Sequence, residues 1–244
     1  MSKNLVIHYL GISAFVFVLP NGDKIGIDFW TPGAFSYSDD TPTNNGIPDG
    51  RILKCHLVSH DHKDHCFVPD HAFAIQGVVD GKIEDGKTVL KLPDLSVRQY
   101  DSEHFNPSMG RGSKANTVFV FDFDGLVICH LADAFGTLLD SQKLLELKKK
   151  IGKIDLLLLP IDGANIKPLS LPALFSALQV LAPSAVIPMH YYATIDKTNF
   201  MAEAKKRGFK IADRVSEFTL NKDLLRPSEG MVFYRLSPAP FRII

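Results

Sequence analysis

The stretch Leu57–Phe67 reads LVSHDHKDHCF and places three histidines and two aspartates directly after an apolar run. Within it, His60, His62, Asp64 and His65 follow the order His-x-His-x-Asp-His. Alternate residues of an extended chain share a face, so His60 and His62 point together, and a turn beyond the strand can bring Asp64 and His65 round beside them. Neutral imidazoles and carboxylates suit zinc, manganese or iron. The bland alternative is a solvated His/Asp-rich turn; four such groups at this spacing beside a buried strand favour a metal site. Three further ligand types end apolar strands: His104 in LSVRQYDSEH, Asp133 in LVICHLAD and His190 in AVIPMH. Each alone reads as an ordinary strand-end residue. Strand ends are, however, where open α/β layers collect functional groups. Together with the cluster they make seven ligands, too many for one tetrahedral ion and suited to two.

The elements that must position these groups are legible from periodicity and turn residues. The first 30 residues read as three strands ending at Asp28, with PNGD (20–23) as a hairpin turn. Residues 31–50, dense in Pro, Gly, Asn and Asp, read as a long loop, either a lid or disordered. ILKCHLVS (52–59) is a strand, and PDHAFAIQGVV (69–79) reads as a short helix. TVLKL (88–92) and LSVRQY (95–100) are strands, and a Gly-rich loop occupies 106–116. Asp124-Gly125 is a hairpin turn between TVFVFDF and LVICHLAD. Ser141 caps a helix that Gly152 stops, KIDLLLLPID (153–162) is a buried strand, and Ser170 caps a helix over 171–181. SAVIPMH (184–190) is a strand, 198–208 a helix, and GMVFYRL a closing strand. Strands first, then alternating helices and strands, predict two facing sheets with helices outside.

Composition narrows the function classes. A chain of 244 residues with 45% hydrophobic residues supports a sizeable core. Lys+Arg and Asp+Glu are both 27, so no basic excess advertises nucleic acid. Three cysteines, Cys55, Cys66 and Cys129, argue against a disulfide framework and fit a reducing, cytoplasmic setting. Residues 5–19 are interrupted by His8, Tyr9 and Ser13 and read as a hairpin arm rather than a signal peptide. No stretch reaches the roughly 18 apolar residues of a membrane span.

These motifs resemble the metallo-β-lactamase-fold hydrolase superfamily over nearly the whole chain. Asp28 in IGIDFW, SHDHKDH, EHF (103–105), HLADAF (130–135) and IPMHYYAT (187–194) carry the resemblance. YLGISAFVF, LLLLPIDG and VIPMHYY most resemble its small single-domain branch, which includes ascorbate-6-phosphate lactonase-like proteins. The resemblance implies an α+β fold, a four-layer αβ/βα sandwich, as one domain over 1–244. It implies that His60, His62 and His104 hold one divalent metal and Asp64, His65 and His190 a second, with Asp133 bridging. Zinc is the first expectation, with manganese or iron as alternatives. Asp28 is implied to orient a ligand histidine. Two residues depart from the family pattern: Ala132 stands where glycine usually precedes the bridging aspartate, and Cys66 where thioesterase-type members have glycine.

The expected chemistry is hydrolysis. Paired cations lower the pKa of a bridging water toward about 7, and the resulting hydroxide attacks a carbonyl or phosphorus centre. Asp64 and Asp133 are the expected catalytic carboxylates. His130 has two readings, a support for the metal ligands or a core residue; His56 has the same alternatives, with core or edge favoured, and His8 and His71 read as structural. Arg111 and Lys114 form a candidate anion cradle or are solvated loop cations. Tyr191 and Tyr192 line the pocket rim or pack beneath it, and Trp30 and Phe35 form a candidate apolar wall above the metals. The substrate class expected is a small anionic ester, lactone or phosphodiester. The alternatives are a nuclease-type phosphodiesterase and a non-catalytic metal-dependent binding or sensing protein. Neither nucleic acid nor membrane is expected as a partner; a homo-oligomer is open.

Overall fold

The computed structural model describes residues 2–32, 46–105, 114–161, 170–191, 194–215, 217–225, 230–239 and 241. The strands are β1 Leu5–Gly11, β2 Ala14–Val18, β3 Lys24–Ile27, β4 Cys55–Val58, β5 Ala74–Gln76, β6 Thr88–Lys91, β7 Leu95–Phe105, β8 Lys114–Phe123, β9 Leu126–His130, β10 Leu156–Pro160, β11 Ala185–Met189, β12 Lys210–Val215, β13 Glu217–Leu220 and β14 Val232–Leu236. The helices are α1 Phe135–Leu139, α2 Ser141–Ile151, α3 Leu171–Leu181 and α4 Thr194–Lys206. A six-stranded sheet runs β13-β1-β2-β3-β4-β5 and an eight-stranded sheet runs β12-β14-β11-β10-β9-β8-β7-β6. The α+β expectation of two facing sheets is what is observed.

Alternation in the hairpin β1–β2 shows how the layers form. Ile7, Tyr9, Phe15 and Phe17 face one way, into an apolar cluster shared with Phe119 and Phe121 of β8 and Leu156–Leu159 of β10. Leu10, Ala14 and Val16 face the other way, into a second cluster with Ile12, Phe29, Trp30 and Leu53. Trp30 is therefore packed on the outer face of the first sheet, and Phe35 lies outside the described residues. On the second sheet, β9, β10, β11, β14 and β12 are parallel neighbours; α1 and α2, α3 and α4 lead in turn from β9 to β10, β11 and β12, and β14 inserts between β11 and β12. Their near-continuous apolar runs, such as LLLLP, match strands covered on both faces.

Several local readings are corrected. Residues 69–79 form no helix: Ala74–Gln76 is an edge strand parallel to β4, with His56 opposite Ala74. A short apolar run is ambiguous between strand and helix, and a free β4 edge decided it. β7 runs on through Phe105, so His104 lies within a strand rather than after one. Asp140, not Ser141, caps α2, accepting from the N–H groups of Gln142 and Lys143. α4 begins at Thr194, and α1 and β13 were not anticipated. The hairpin at Asp124-Gly125 has positive φ at both residues (50° and 79°), as a type I′ turn requires. No helix among the described residues is long and apolar enough to cross a membrane.

Candidate metal centre

The C-terminal ends of β3, β4, β7, β9 and β11 deliver Asp28, the His60–His65 segment, His104, Asp133 and His190 to one place. β7 and β9 both pair antiparallel with β8, so their ends point the same way. Two groups result, His60, His62, His104 and Asp133, and Asp64, His65, Asp133 and His190, whose donor atoms in each lie within 4.8 Å of one another.

In the first group, His62 Nδ1 is 3.2 Å from His60 Nε2 and 3.1 Å from His104 Nε2. Asp133 Oδ2 lies 3.0 Å from His104 Nε2 and 3.7 Å from His60 Nε2. In the second, Asp133 Oδ1 lies 3.0 Å from His190 Nε2 and 3.2 Å from His65 Nε2. Asp64 Oδ2 is 3.4 Å from His190 Nε2 and 3.8 Å from His65 Nε2. A tetrahedral ion with bonds of about 2.0–2.2 Å has ligand–ligand edges of about 3.3–3.6 Å. His65 Nε2 and Asp133 Oδ1 are fully buried and, despite their proximity, make no hydrogen bond. A buried polar atom left in that state is costly unless another group satisfies it. The donor set and its spacing therefore fit divalent metal ions.

The tautomers of two ligands follow from their supports. Asp28, buried and at φ 46°, accepts from Ser59 N–H (2.7 Å) and Ser59 Oγ–H (2.7 Å). Asp28 Oδ2 also meets His65 Nδ1 at 2.9 Å, so Nδ1 carries the proton and Nε2 presents its lone pair to the centre. Ser59 has spent its one hydroxyl proton on Asp28. The 3.0 Å contact between Ser59 Oγ and His60 Nδ1 must then be donated by the imidazole, which turns His60 Nε2 inward as an acceptor. Ser59 was not singled out in the sequence; its one signal is its place immediately before the first histidine.

The electrostatics differ across the centre. Burial, then repulsion from His104 and Lys114, pushes His62 down to about 4. Burial likewise holds His60 well below the usual range, reinforced by His65. Burial works against protonation of His190 as well, but Asp133 and Asp64 overcome it and raise His190 to about 10. His65 is raised for the same reason, by Asp133, Asp64 and Asp28. Burial disfavours ionised Asp133, yet His190 and His65 hold its carboxyl far below the carboxylate range, and His65 and His190 do the same for Asp64. In the second group the two carboxylates thus raise the proton affinity of His65 and His190, and a cation bound there would take the place of those protons.

Other candidates fall as follows. His130 is buried, with its ring edge-on to Phe15 and both nitrogens hydrogen-bonded to backbone. His56 takes the core reading, stacked on Phe29 with ring centroids 4.3 Å apart. Tyr191 is buried, its hydroxyl donating to the Leu236 carbonyl (3.4 Å). Lys114 begins β8 at the half-buried side of the centre, its ammonium donating to the Asp61 carbonyl (3.3 Å). Arg111 and Tyr192 lie outside the described residues. Phe135, unremarked in the sequence, packs T-shaped against His104 and His190, with ring centroids 6.0 and 5.4 Å apart, and so touches both groups.

The profile of the beta-lactamase superfamily domain matches residues 6–190. The chain is similar in structure to a proposed Zn-dependent hydrolase of the metallo-β-lactamase superfamily from Thermotoga maritima, at 20% identity, covering 96% of this chain and 100% of that one with a TM-score of 0.58. It is also similar to Igni18, a metallo hydrolase from Ignicoccus hospitalis, at 20% identity, with 89% and 98% covered and a TM-score of 0.56. CmlA, a diiron β-hydroxylase from Streptomyces venezuelae, is similar at 13% identity over 89% of this chain and 54% of that one, with a TM-score of 0.58. At these identities the structural likeness is one of fold. No curated protein sequence matches significantly.

Proposed function

The chain belongs to the beta-lactamase superfamily and has the metallo-β-lactamase fold, and from that premise we propose that it is a dinuclear metal-dependent hydrolase of small anionic esters, lactones or phosphodiesters. The observation that carries this reading is the sharing of Asp133, whose two oxygens face separate groups of ligands. His60, His62 and His104 would hold one cation and Asp64, His65 and His190 the other, with zinc the first candidate because five of the seven donors are imidazoles. Bound there, divalent cations supply Lewis acidity, which polarises a carbonyl or phosphoryl oxygen and acidifies water near neutral pH.

The protein's own residues do the rest. Asp64, half-buried and held ionised, accepts a hydrogen bond from the attacking water and orients its lone pair toward the substrate. Asp28 and Ser59 fix His65 and His60 in the tautomers that ligation needs. Phe135 keeps solvent from the rear of the centre, which strengthens every charge interaction inside it. The half-buried members, His62 and Asp64, mark the side from which substrate approaches. Lys114 stands on that side and supports the preference for an anionic substrate.

Metal analysis of protein purified without added metal, combined with a panel of chromogenic esters, lactones and phosphodiesters, tests the reading. We expect about two ions per chain and chelator-sensitive turnover. Asp133→Ala should lose metal and turnover together. A metal-replete, fully active Asp133→Ala protein would refute the bridging role, and a metal-replete wild type inert on the whole panel would favour a binding or sensing function.

A further inference from the structure

Asp133 follows a residue in an uncommon conformation. Ala132 is fully buried and left-handed, with φ 46°. A residue with a Cβ pays roughly 1–2 kcal/mol for that region. It persists only where its surroundings over-determine it.

Two buried side chains supply that over-determination. Asn116 on β8 bridges the turn with its amide: Nδ2 donates to the Leu131 carbonyl (3.0 Å) and Oδ1 accepts from Asp133 N–H (3.1 Å). The same Nδ2 also donates to Ser102 Oγ (2.7 Å), which in turn donates to the Asn116 carbonyl (2.7 Å). Ser102 stands two residues before His104 on β7. His130 Nδ1 accepts from Ala132 N–H (3.2 Å), so its proton sits on Nε2 and is donated to the Ser13 carbonyl (3.0 Å). Next to Ser13, Ile12 is also left-handed (φ 52°), and its carbonyl accepts from His190 N–H at 2.6 Å. Polar groups on both sides of Ala132 are therefore held by side chains that continue to the strands of His104 and His190.

We propose that Asn116 and His130 are positioning residues that keep Ala132 left-handed and so aim the two Asp133 oxygens at separate ligand groups, a role that rests on the dinuclear reading above. A rotation about the 132–133 peptide would withdraw one oxygen from its group while leaving the other in reach. The consequence is selective: one ion weakens more than its neighbour, whereas a general loss of packing weakens both.

The test is titration of the metal-free full-length protein with Co2+ alone, following ligand-field absorption and ions bound per chain. Wild type should take two ions. Asn116→Ala should weaken the second at least about tenfold and the first little. Adding Ala132→Gly, which adopts positive φ without the Cβ penalty, should restore the second site to within about threefold. His130→Gln keeps a donor for Ser13, but its acceptor oxygen no longer occupies the Nδ1 position that meets Ala132 N–H. It should show the same loss and the same rescue, and it decides the matter if Asn116→Ala does not fold. Wild-type affinities in both single variants, or losses that Ala132→Gly leaves unrepaired, overturn the positioning role while the centre stands. A wild type that does not take two Co2+ overturns the dinuclear reading first, and the positioning role with it.

Discussion

The seven ligand-type residues were legible as a set: His104, Asp133 and His190 each read alone as ordinary strand-end residues and gained meaning only beside the His60–His65 cluster. The residues that make them usable were not. Ser59, Ser102 and Asn116 are ordinary polar side chains in sequence, and their roles arise only from which backbone groups they meet. His56 was read as a core or edge residue; it is core, and its environment adds a titration. Its Nε2 accepts from Phe29 N–H (3.3 Å), and burial pushes its pKa down to about 4. The unfolded chain, with the ordinary value near 6.5, therefore binds more protons than the folded one between those limits. His56 is compatible with full stability above about pH 6.5, costs progressively more as pH falls, and levels off below about 4. The whole effect is about 3 kcal/mol. Denaturant unfolding of chelator-treated wild type and His56→Gln, at pH 7 and at pH 4.5, measures it. The wild-type advantage should contract by about 2–3 kcal/mol at the lower pH; a pH-independent difference would show that His56 does not titrate this way.

Elements were readable where turn chemistry marked them, as at Asp124-Gly125 and Gly152, and misread where only a partner strand decides. Ala74–Gln76 is such a case, since nothing in AIQ prefers strand until β4 offers its edge. β13 is another, because EFTL becomes a strand by pairing with β1 across more than 200 residues of chain. The joint between the two sheets depends on one glycine that the pattern did not mark. After β5, Gly77 N–H donates to the Val58 carbonyl (2.8 Å), and Thr117 N–H on the other sheet reaches the Ser59 carbonyl (3.3 Å). A Cβ at Gly77 would lie 2.3 Å from Thr117 Oγ1, 2.6 Å from its Cβ and 2.7 Å from its Cγ2. Threonine is stiff at χ1, and this one is buried, so it cannot simply swing aside. Gly77→Ala should therefore destabilise the protein by about 1–3 kcal/mol, the range for overpacking. Urea unfolding measures it, and unchanged stability would mean the sheets part easily at this point.

At the scale of the whole molecule, the centre draws on segments from both sheets: the His60–His65 segment follows β4 of the first, while His104, Asp133 and His190 sit on β7, after β9 and after β11 of the second. The general architecture was legible because strand order and the strand-end positions of the ligands fit one layered arrangement. The depth of coupling between architecture and site was not, because it runs through contacts between distant segments. Ions held by this set would join the sheets, so binding energy becomes folding energy, provided the unfolded chain binds them weakly. Above saturation, each tenfold rise in free ion then adds about 1.4 kcal/mol per site. For a protein of this size that moves the melting temperature by about 3–6 °C per decade per site. Thermal melts in zinc buffers spanning several decades of free Zn2+ should show such a rise, and the rise should be much reduced in Asp133→Ala. A melting temperature indifferent to free zinc, in a protein that demonstrably binds it, would mean that the folded and unfolded chains hold the ion equally well. The convergence of ligands at the sheet ends would then contribute nothing to holding the two layers together.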